Sequence, residues 1–102
     1  MAVHQIDMHN YDEMVIRSDQ PVLLDFYAPW CGPCSLLSPV LDEIAGERPD
    51  IKVCKVNVDT NSELTSLYKV YRIPTLLVMQ EGKEKERIVG ARPKAQLLEL
   101  FV

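Results

Sequence analysis

Residues 22–34 read Val-Leu-Leu-Asp-Phe-Tyr-Ala-Pro-Trp-Cys-Gly-Pro-Cys, the most informative stretch of the sequence. Its first six residues are apolar except for Asp25, and they show no alternation with polar residues. Such a run is typical of a strand that is covered on both faces, as in α/β proteins. Apolar residues at helical spacing then predict a helix over about 31–47. The stretch therefore predicts a buried strand that leads directly into a helix.

Outward from this stretch, strands and helices are predicted to alternate. We predict a strand over 3–6, helices over about 10–17 and from about 60, strands over 51–58, 75–79 and about 87–89, and a helix that starts at Pro93. Asn10 to Glu13 and Thr60 to Glu63 match the pattern of capping boxes. Pro39 is predicted to kink its helix. Strands alternating with helices predict parallel pairing in the first part, and the short turn at Glu81-Gly82 makes the last two strands antiparallel.

Composition limits the possible functions. The chain has 102 residues, of which 47% are hydrophobic, as expected of one domain over residues 1–102. A net charge of -4 gives no indication of a nucleic acid or an anionic membrane as partner. No apolar run approaches the roughly 20 residues of a membrane-spanning helix. The first seven residues lack the basic and apolar regions of a signal peptide, so we expect a cytoplasmic protein.

Cys31 and Cys34 are the candidate functional pair. Residues three apart on a helix lie close enough to form a disulfide, and the start of a helix favours a thiolate at Cys31. Cys34 is then the resolving thiol in thiol–disulfide exchange. Half of a zinc site is the alternative, but only Cys54, His4 and His9 could complete it, so we expect no metal. Cys54 is interpreted as a small core residue, with a regulatory oxidation site as the alternative.

The surroundings of this pair resemble the thioredoxin family. The resemblance covers the whole chain in order and rests on Asp25, Phe26, Ala28 and Trp30, on Gly32-Pro33 between the cysteines, and on Pro39, Lys55, Asn57, Ile73-Pro74-Thr75 and Val89-Gly90-Ala91. It implies the thioredoxin fold, a central mixed β-sheet flanked by helices on both faces. It also implies a monomeric protein-disulfide reductase without a bound cofactor. Its partners would be disulfide-containing target proteins and a thioredoxin reductase that supplies electrons from NADPH.

The resemblance also assigns roles to individual residues. Asp25 would lie beneath the cysteines and assist proton transfer at Cys34, with a pKa raised by burial. Lys55 would be its neighbour across the sheet. The Ile73-Pro74 bond would be cis, whereas sequence alone predicts trans, and the backbone of Ile73 would pair with an extended substrate segment. The remaining substrate-binding residues would be Trp30, Gly32, Pro33, Gly90 and Ala91.

Several residues depart from the usual pattern of the family. Ser35 stands where a Lys or Arg is common, which removes a cation that would stabilise the thiolate. Arg72 stands where small residues are frequent, and it either restores positive charge near the site or steers the choice of partner. Tyr27 stands where many members carry Trp or Phe, and Met79 stands where an aromatic residue is common. These changes concern partner specificity rather than the reaction.

Two other functions remain open at this point. A protein disulfide oxidase or isomerase could use the same fold, although a histidine between the cysteines would suit that role better than Gly32-Pro33. The domain could also be a structural or binding subunit of a larger complex. The charged run over 83–87 is interpreted as a solvated sheet edge that discourages the addition of another strand.

Overall fold

A computed structural model describes residues 3–102. Met1 and Ala2 lie outside the described residues. The start of the predicted domain and of the N-terminal segment therefore lies outside them as well. The strands are β1 (His4–Gln5), β2 (Val22–Tyr27), β3 (Lys52–Asn57), β4 (Thr75–Gln80) and β5 (Lys83–Val89). The helices are a π-helical turn (Asp12–Ile16), α1 (Gly32–Glu47), α2 (Ser62–Leu67) and α3 (Lys94–Glu99). No helix within residues 3–102 combines the length and the apolar content needed to cross a membrane.

The five strands form one mixed sheet in the order β1-β3-β2-β4-β5. The pairs β1–β3 and β2–β3 are parallel, and β2–β4 and β4–β5 are antiparallel. The predicted α/β class with a mixed sheet is confirmed. The strand order, which the sequence pattern did not predict, places β2 at the centre with β3 and β4 as its neighbours.

Side chains of β2 point alternately into two hydrophobic cores, one on each face of the sheet. Leu23 packs in the core that contains Leu37 and Leu41 of α1 and Leu97 of α3. Leu24 and Phe26 pack in the other core, with Val15 of the π-helical turn and Leu64 of α2. Burial on both faces explains why the apolar run of β2 does not alternate with polar residues. It also leaves Asp25 as an ionisable residue at the middle of the sheet.

Both predicted capping boxes are wrong. The Asn10 side chain accepts a hydrogen bond from the Asp7 amide (2.8 Å) instead of capping helix amides, and the π-helical turn starts at Asp12. Asn61 precedes α2 without a capping bond from its side chain, while the Thr60 hydroxyl donates to the Asn57 carbonyl. In both cases polar side chains bind the backbone of the preceding turn, which is the usual competitor of capping.

The last strand is longer than predicted, because β5 begins at Lys83 rather than near Arg87. Gln80 and Lys83 are paired, so the turn between β4 and β5 consists of Glu81 and Gly82 alone. Both turn residues have positive φ (53° and 76°), as a tight two-residue hairpin requires. The charged run is therefore an exposed edge strand, as the sequence indicates. Smaller differences are β1, which covers only His4–Gln5, and Pro93, which precedes α3 instead of opening it.

Candidate functional site

The cysteine pair forms a disulfide at the start of α1. Cys31 is the residue that caps the helix, and the Cα atoms of Cys31 and Cys34 are 5.3 Å apart. Gly32 and Pro33 form the first exposed turn between them, and Pro is favoured there because its missing N–H needs no partner. The Cys34 amide donates to Sγ of Cys31 at 3.3 Å. A backbone N–H directed at this sulfur stabilises negative charge on it.

A loop from the other side of the site packs against Cys31. The Ile73-Pro74 peptide bond is cis, and the carbonyl oxygen of Ile73 lies 3.9 Å from Sγ of Cys31. The Gly90 amide donates to the Pro74 carbonyl at 2.8 Å, which brings the segment after β5 to the same place. Ala91, next in the chain, is exposed. The structure thus places Ile73 next to the sulfur of Cys31 and joins the segment at Gly90 to the same loop through Pro74.

Trp30 lies beside the disulfide on the outside of the protein. Its side chain is 71% exposed, and its indole N–H donates to Oδ2 of Asp59 at 2.9 Å. Asp59 follows β3 and was not among the residues singled out from the sequence. A lone carboxylate in a polar loop carries no signal of such a contact. Only the parallel pairing of β2 with β3, which aligns the ends of the two strands, brings it to Trp30.

Asp25 is completely buried in β2, and neither carboxylate oxygen has a hydrogen-bond partner within residues 3–102. Burial raises the pKa of Asp25 to about 7, and the positive charge of Lys55 opposes this rise. Asp25 and Leu23 are two residues apart on one strand, so both side chains point to the face covered by α1. The Asp25 carboxyl group therefore lies on the α1 side of the sheet, in the strand that leads into the segment ending at Cys31.

Lys55 is the cross-strand neighbour of Asp25 in the parallel β2–β3 pair. Among residues 3–102 no ion pair joins the two side chains. The Lys55 ammonium instead lies 4.3 Å from the centre of the Tyr27 ring and 3.5 Å from the Ser38 hydroxyl. Ser38, on α1, was also missed from the sequence, because a serine within a helix carries no functional pattern. Lys55 therefore acts on Asp25 through its charge and not through a direct hydrogen bond.

The residues that depart from the usual pattern lie at different depths. The Ser35 hydroxyl donates to the Cys31 carbonyl (3.3 Å), and its side chain places no charge near the disulfide. Met79 is buried in the core, and Arg72 is exposed beside Ile73. Cys54 is a buried free thiol whose pKa is raised to about 12 by burial, as expected of a core residue. In the described part of the chain, no three His, Cys, Asp or Glu side chains converge in a way that could hold a metal ion.

Comparison with known proteins identifies the family. The profile of the Thioredoxin family matches residues 2–101. The chain belongs to the thioredoxin family. It is 52% identical over 85 residues to the thioredoxin of Mycobacterium tuberculosis, an alignment that covers 82% of this chain and 73% of the relative. It is 45% identical over 97 residues to thioredoxin 1 of Nostoc, covering 94% and 91% of the two chains.

Relatives of greater length are also similar. Thioredoxin M5, chloroplastic, of Oryza sativa subsp. japonica is 47% identical over 92 residues, which cover 89% of this chain but 54% of the relative. The chain thus spans about half the length of that relative. It also spans about half, 53%, of the chloroplastic M-type thioredoxin of Triticum aestivum. Family membership and the Cys31–Cys34 pair make the 2–101 region a thiol–disulfide oxidoreductase domain. Oxidase, isomerase and purely structural functions are not favoured.

Proposed function

We propose that this protein reduces disulfide bonds in other proteins, with Cys31 and Cys34 cycling between dithiol and disulfide. One observation supports this most directly: the pair is bridged at the start of α1, and the Cys34 amide lies 3.3 Å from Sγ of Cys31. The same amide would stabilise a thiolate on Cys31 in the reduced protein. A stabilised thiolate is the nucleophile that thiol–disulfide exchange requires.

The reaction consists of two exchanges. The Cys31 thiolate attacks one sulfur of the target disulfide, so that a Cys31–target bond forms, the target bond breaks, and the departing thiolate takes up a proton. Cys34 then loses its proton and attacks Sγ of Cys31. This step forms the Cys31–Cys34 bond and releases the second target thiol. The target gains two electrons, and the cysteine pair loses them.

Asp25 is proposed to accept the proton of Cys34 in the second exchange. This proposal is supported by the burial of the Asp25 carboxyl group on the α1 side of the sheet. Its pKa is raised to about 7, a value suited to proton transfer near neutral pH. The charge of Lys55 keeps the carboxylate form populated, because it opposes the effect of burial. Asp25 and Lys55 thus form the proposed acid–base part of the site, and Cys31 and Cys34 form the redox part.

The target is proposed to bind across the loops that surround Sγ of Cys31. The Ile73 amide has no hydrogen-bond partner within residues 3–102, so an extended target segment could pair with the backbone at this position. The proposed contact surface also contains the exposed Trp30 ring. Its full set of residues is Trp30, Gly32, Pro33, Ile73, Pro74, Gly90 and Ala91.

Continued turnover needs a source of electrons outside the domain. We propose that a thioredoxin reductase supplies these electrons and takes them from NADPH. We also propose that the protein is a monomer and that it lies in the cytoplasm. Since two of the similar proteins are named chloroplastic, fractionation of the source cells with an antibody against this chain is the direct test of location.

Variants of the two cysteines test the proposed reaction. Cys34→Ser should accumulate a mixed disulfide between Cys31 and a protein disulfide substrate such as insulin, because the second exchange is blocked. Cys31→Ser should form no adduct, and Cys54→Ser should turn over like the unmodified protein. Mass spectrometry of the Cys34→Ser reaction detects the adduct. A protein with a purely structural function would show no adduct and no insulin reduction in any form.

A further inference from the structure

A small groove of about 220 Å³ opens beside the redox site and is not part of the surface proposed above. We call it the basic groove; it is lined by Lys69, Tyr71, Arg72, Thr75, Arg87 and Val89. Arg72 directly precedes Ile73, whose carbonyl oxygen lies 3.9 Å from Sγ of Cys31. Thr75 and Val89 are paired across β4 and β5, so the groove floor is the end of the sheet. A segment that reaches from the disulfide past Ile73 would enter this groove.

The charge of the basic groove is opposite to that of the whole chain. Its lining contains three cations and no carboxylate, while the chain carries a net charge of -4. Arg87 is paired with Glu84 at 2.8 Å and donates to the Tyr68 carbonyl, so its position is fixed. Lys69 and Arg72 have no ion-pair partner within residues 3–102. Two exposed cations therefore remain available to an anionic group.

The same groove presents apolar surface to solvent. The Tyr71 side chain is 86% exposed, and Val89 is 45% exposed. Guanidinium groups pair with carboxylates, and an exposed aromatic ring offers a surface on which an apolar side chain can pack. Arg72 stands where the family usually has a small residue. The sequence leaves two interpretations of Arg72 open. Its position in the lining of the basic groove favours the interpretation that Arg72 selects the partner.

The backbone at Lys69 is a separate observation. Lys69 follows α2 and has φ of 53°, the left-handed region in which glycine is the usual residue after a helix. A lysine there has a conformational cost that a glycine would avoid. The chain thus keeps a cation in the groove at a position where backbone conformation alone favours another residue.

We propose that the basic groove binds an acidic segment of the target protein, in which Asp or Glu lies next to an aromatic or aliphatic residue and a few residues from the attacked cysteine. The carboxylates pair with Lys69 and Arg72, and the apolar side chain packs on Tyr71 and Val89. This inference rests on the proposed function, since it assigns a class of target to the same redox site. A polyanion such as nucleic acid is disfavoured as occupant because the remainder of the surface is acidic.

Two peptides with an intramolecular disulfide provide the test. One carries Asp-Asp-Phe beside one cysteine and the other carries Lys-Lys-Phe. The reduced protein should react at least about tenfold faster with the acidic peptide at low ionic strength, since charge complementarity raises association rates by this order or more. The difference should shrink at high salt. Each rate is divided by the rate of the same protein with uncharged 2-hydroxyethyl disulfide, which is too small to span the groove.

Charge reversal separates the groove from the overall charge. In Lys69→Glu/Arg72→Glu the preference for the acidic peptide should be lost or reversed. Lys83→Glu/Lys85→Glu changes the net charge by the same amount on exposed β5 residues outside the groove lining, and it should keep the preference. Equal rates for the two peptides, or an equal loss of the preference for the acidic peptide in both double variants, would overturn the groove assignment. In either case, reduction of 2-hydroxyethyl disulfide would still uphold the proposed function. No reduction of any disulfide would overturn both.

Discussion

At the scale of single residues, Asp25 explains most about how the site is built. A carboxyl group that is buried without a hydrogen bond costs stability whenever it is charged. Burial therefore favours the protonated form of Asp25 in the folded protein, and its pKa lies at about 7 rather than 3.8. The same feature that destabilises the fold provides a proton acceptor near neutral pH. Stability and activity should therefore respond to this residue in opposite directions.

The effect of Asp25 on stability should depend on pH. Between about pH 4 and pH 7 the folded chain binds a proton at Asp25 that the unfolded chain has lost, so stability falls as the pH rises through this window. A folded-state pKa of about 7 against 3.8 corresponds to roughly 4 kcal/mol lost by pH 8. Asp25→Asn in the oxidised protein should recover most of it at pH 8 and little at pH 4, as measured by urea unfolding. An equal gain at both pH values would contradict the burial argument.

The same Asp25→Asn variant should resolve mixed disulfides slowly. Without the carboxylate, the proton of Cys34 has no acceptor beneath α1, so the second exchange is retarded while the first is unaffected. Single-turnover kinetics at pH 7 with insulin separate the two exchanges. If release of reduced insulin proceeds at the rate of the unmodified protein, Asp25 has no part in the reaction.

At the scale of secondary-structure elements, the β4–β5 hairpin shows how turn chemistry decides the extent of a strand. Gly82 has φ of 76°, and a Cβ atom built on it would lie 3.1 Å from the Ile16 carbonyl oxygen. The short turn thus packs against the π-helical turn and fixes the register of the edge strand. Gly46, in α1, has neither constraint, since a Cβ there would meet nothing within 4 Å.

Alanine at these two glycines should change stability in opposite directions. Gly82→Ala should destabilise the protein by about 1–2 kcal/mol because of its left-handed backbone and the close carbonyl. Gly46→Ala should stabilise it by about 0.5–1 kcal/mol, since alanine is the better helix former. Chemical unfolding of both variants under one condition gives the comparison. Tolerance of Gly82→Ala would show that the turn does not constrain the hairpin as described, and destabilisation by Gly46→Ala would show that α1 has no room for a Cβ atom at that position.

The elements also show where sequence patterns succeed and where they fail. Strand β2 is predicted with its observed bounds, because burial on both faces leaves a continuous apolar run over 22–27. The capping boxes fail, because Asn10 and Thr60 bind nearby backbone groups that a four-residue pattern does not represent. Strand β5 is underestimated, because its charged residues lie on an edge and carry no apolar alternation. Local sequence patterns thus predict buried elements such as β2. They miss features such as the extent of β5, which depends on pairing with a strand elsewhere in the sheet.

At the scale of the whole molecule, the sheet order brings the site together. The central position of β2 places Cys31 next to the loop at Ile73-Pro74, which precedes the neighbouring strand β4, and Gly90 at the end of β5 is hydrogen-bonded to that loop. The cysteine pair and Asp25 could be recognised from spacing and from a charge in an apolar strand. Asp59, Ser38 and the basic groove could not, because they result from contacts between elements that are distant in sequence.

The proposed function as a reductant can be checked by measuring the reduction potential of the Cys31–Cys34 couple. The couple can be equilibrated with glutathione buffers, and its oxidised fraction followed by the fluorescence of Trp30 or by thiol alkylation. A reductant of this family should give a value near the roughly -270 mV typical of thioredoxins. A value between about -180 and -120 mV, the range of isomerases and oxidases of the same fold, would mean that the protein donates disulfides and would contradict the claim.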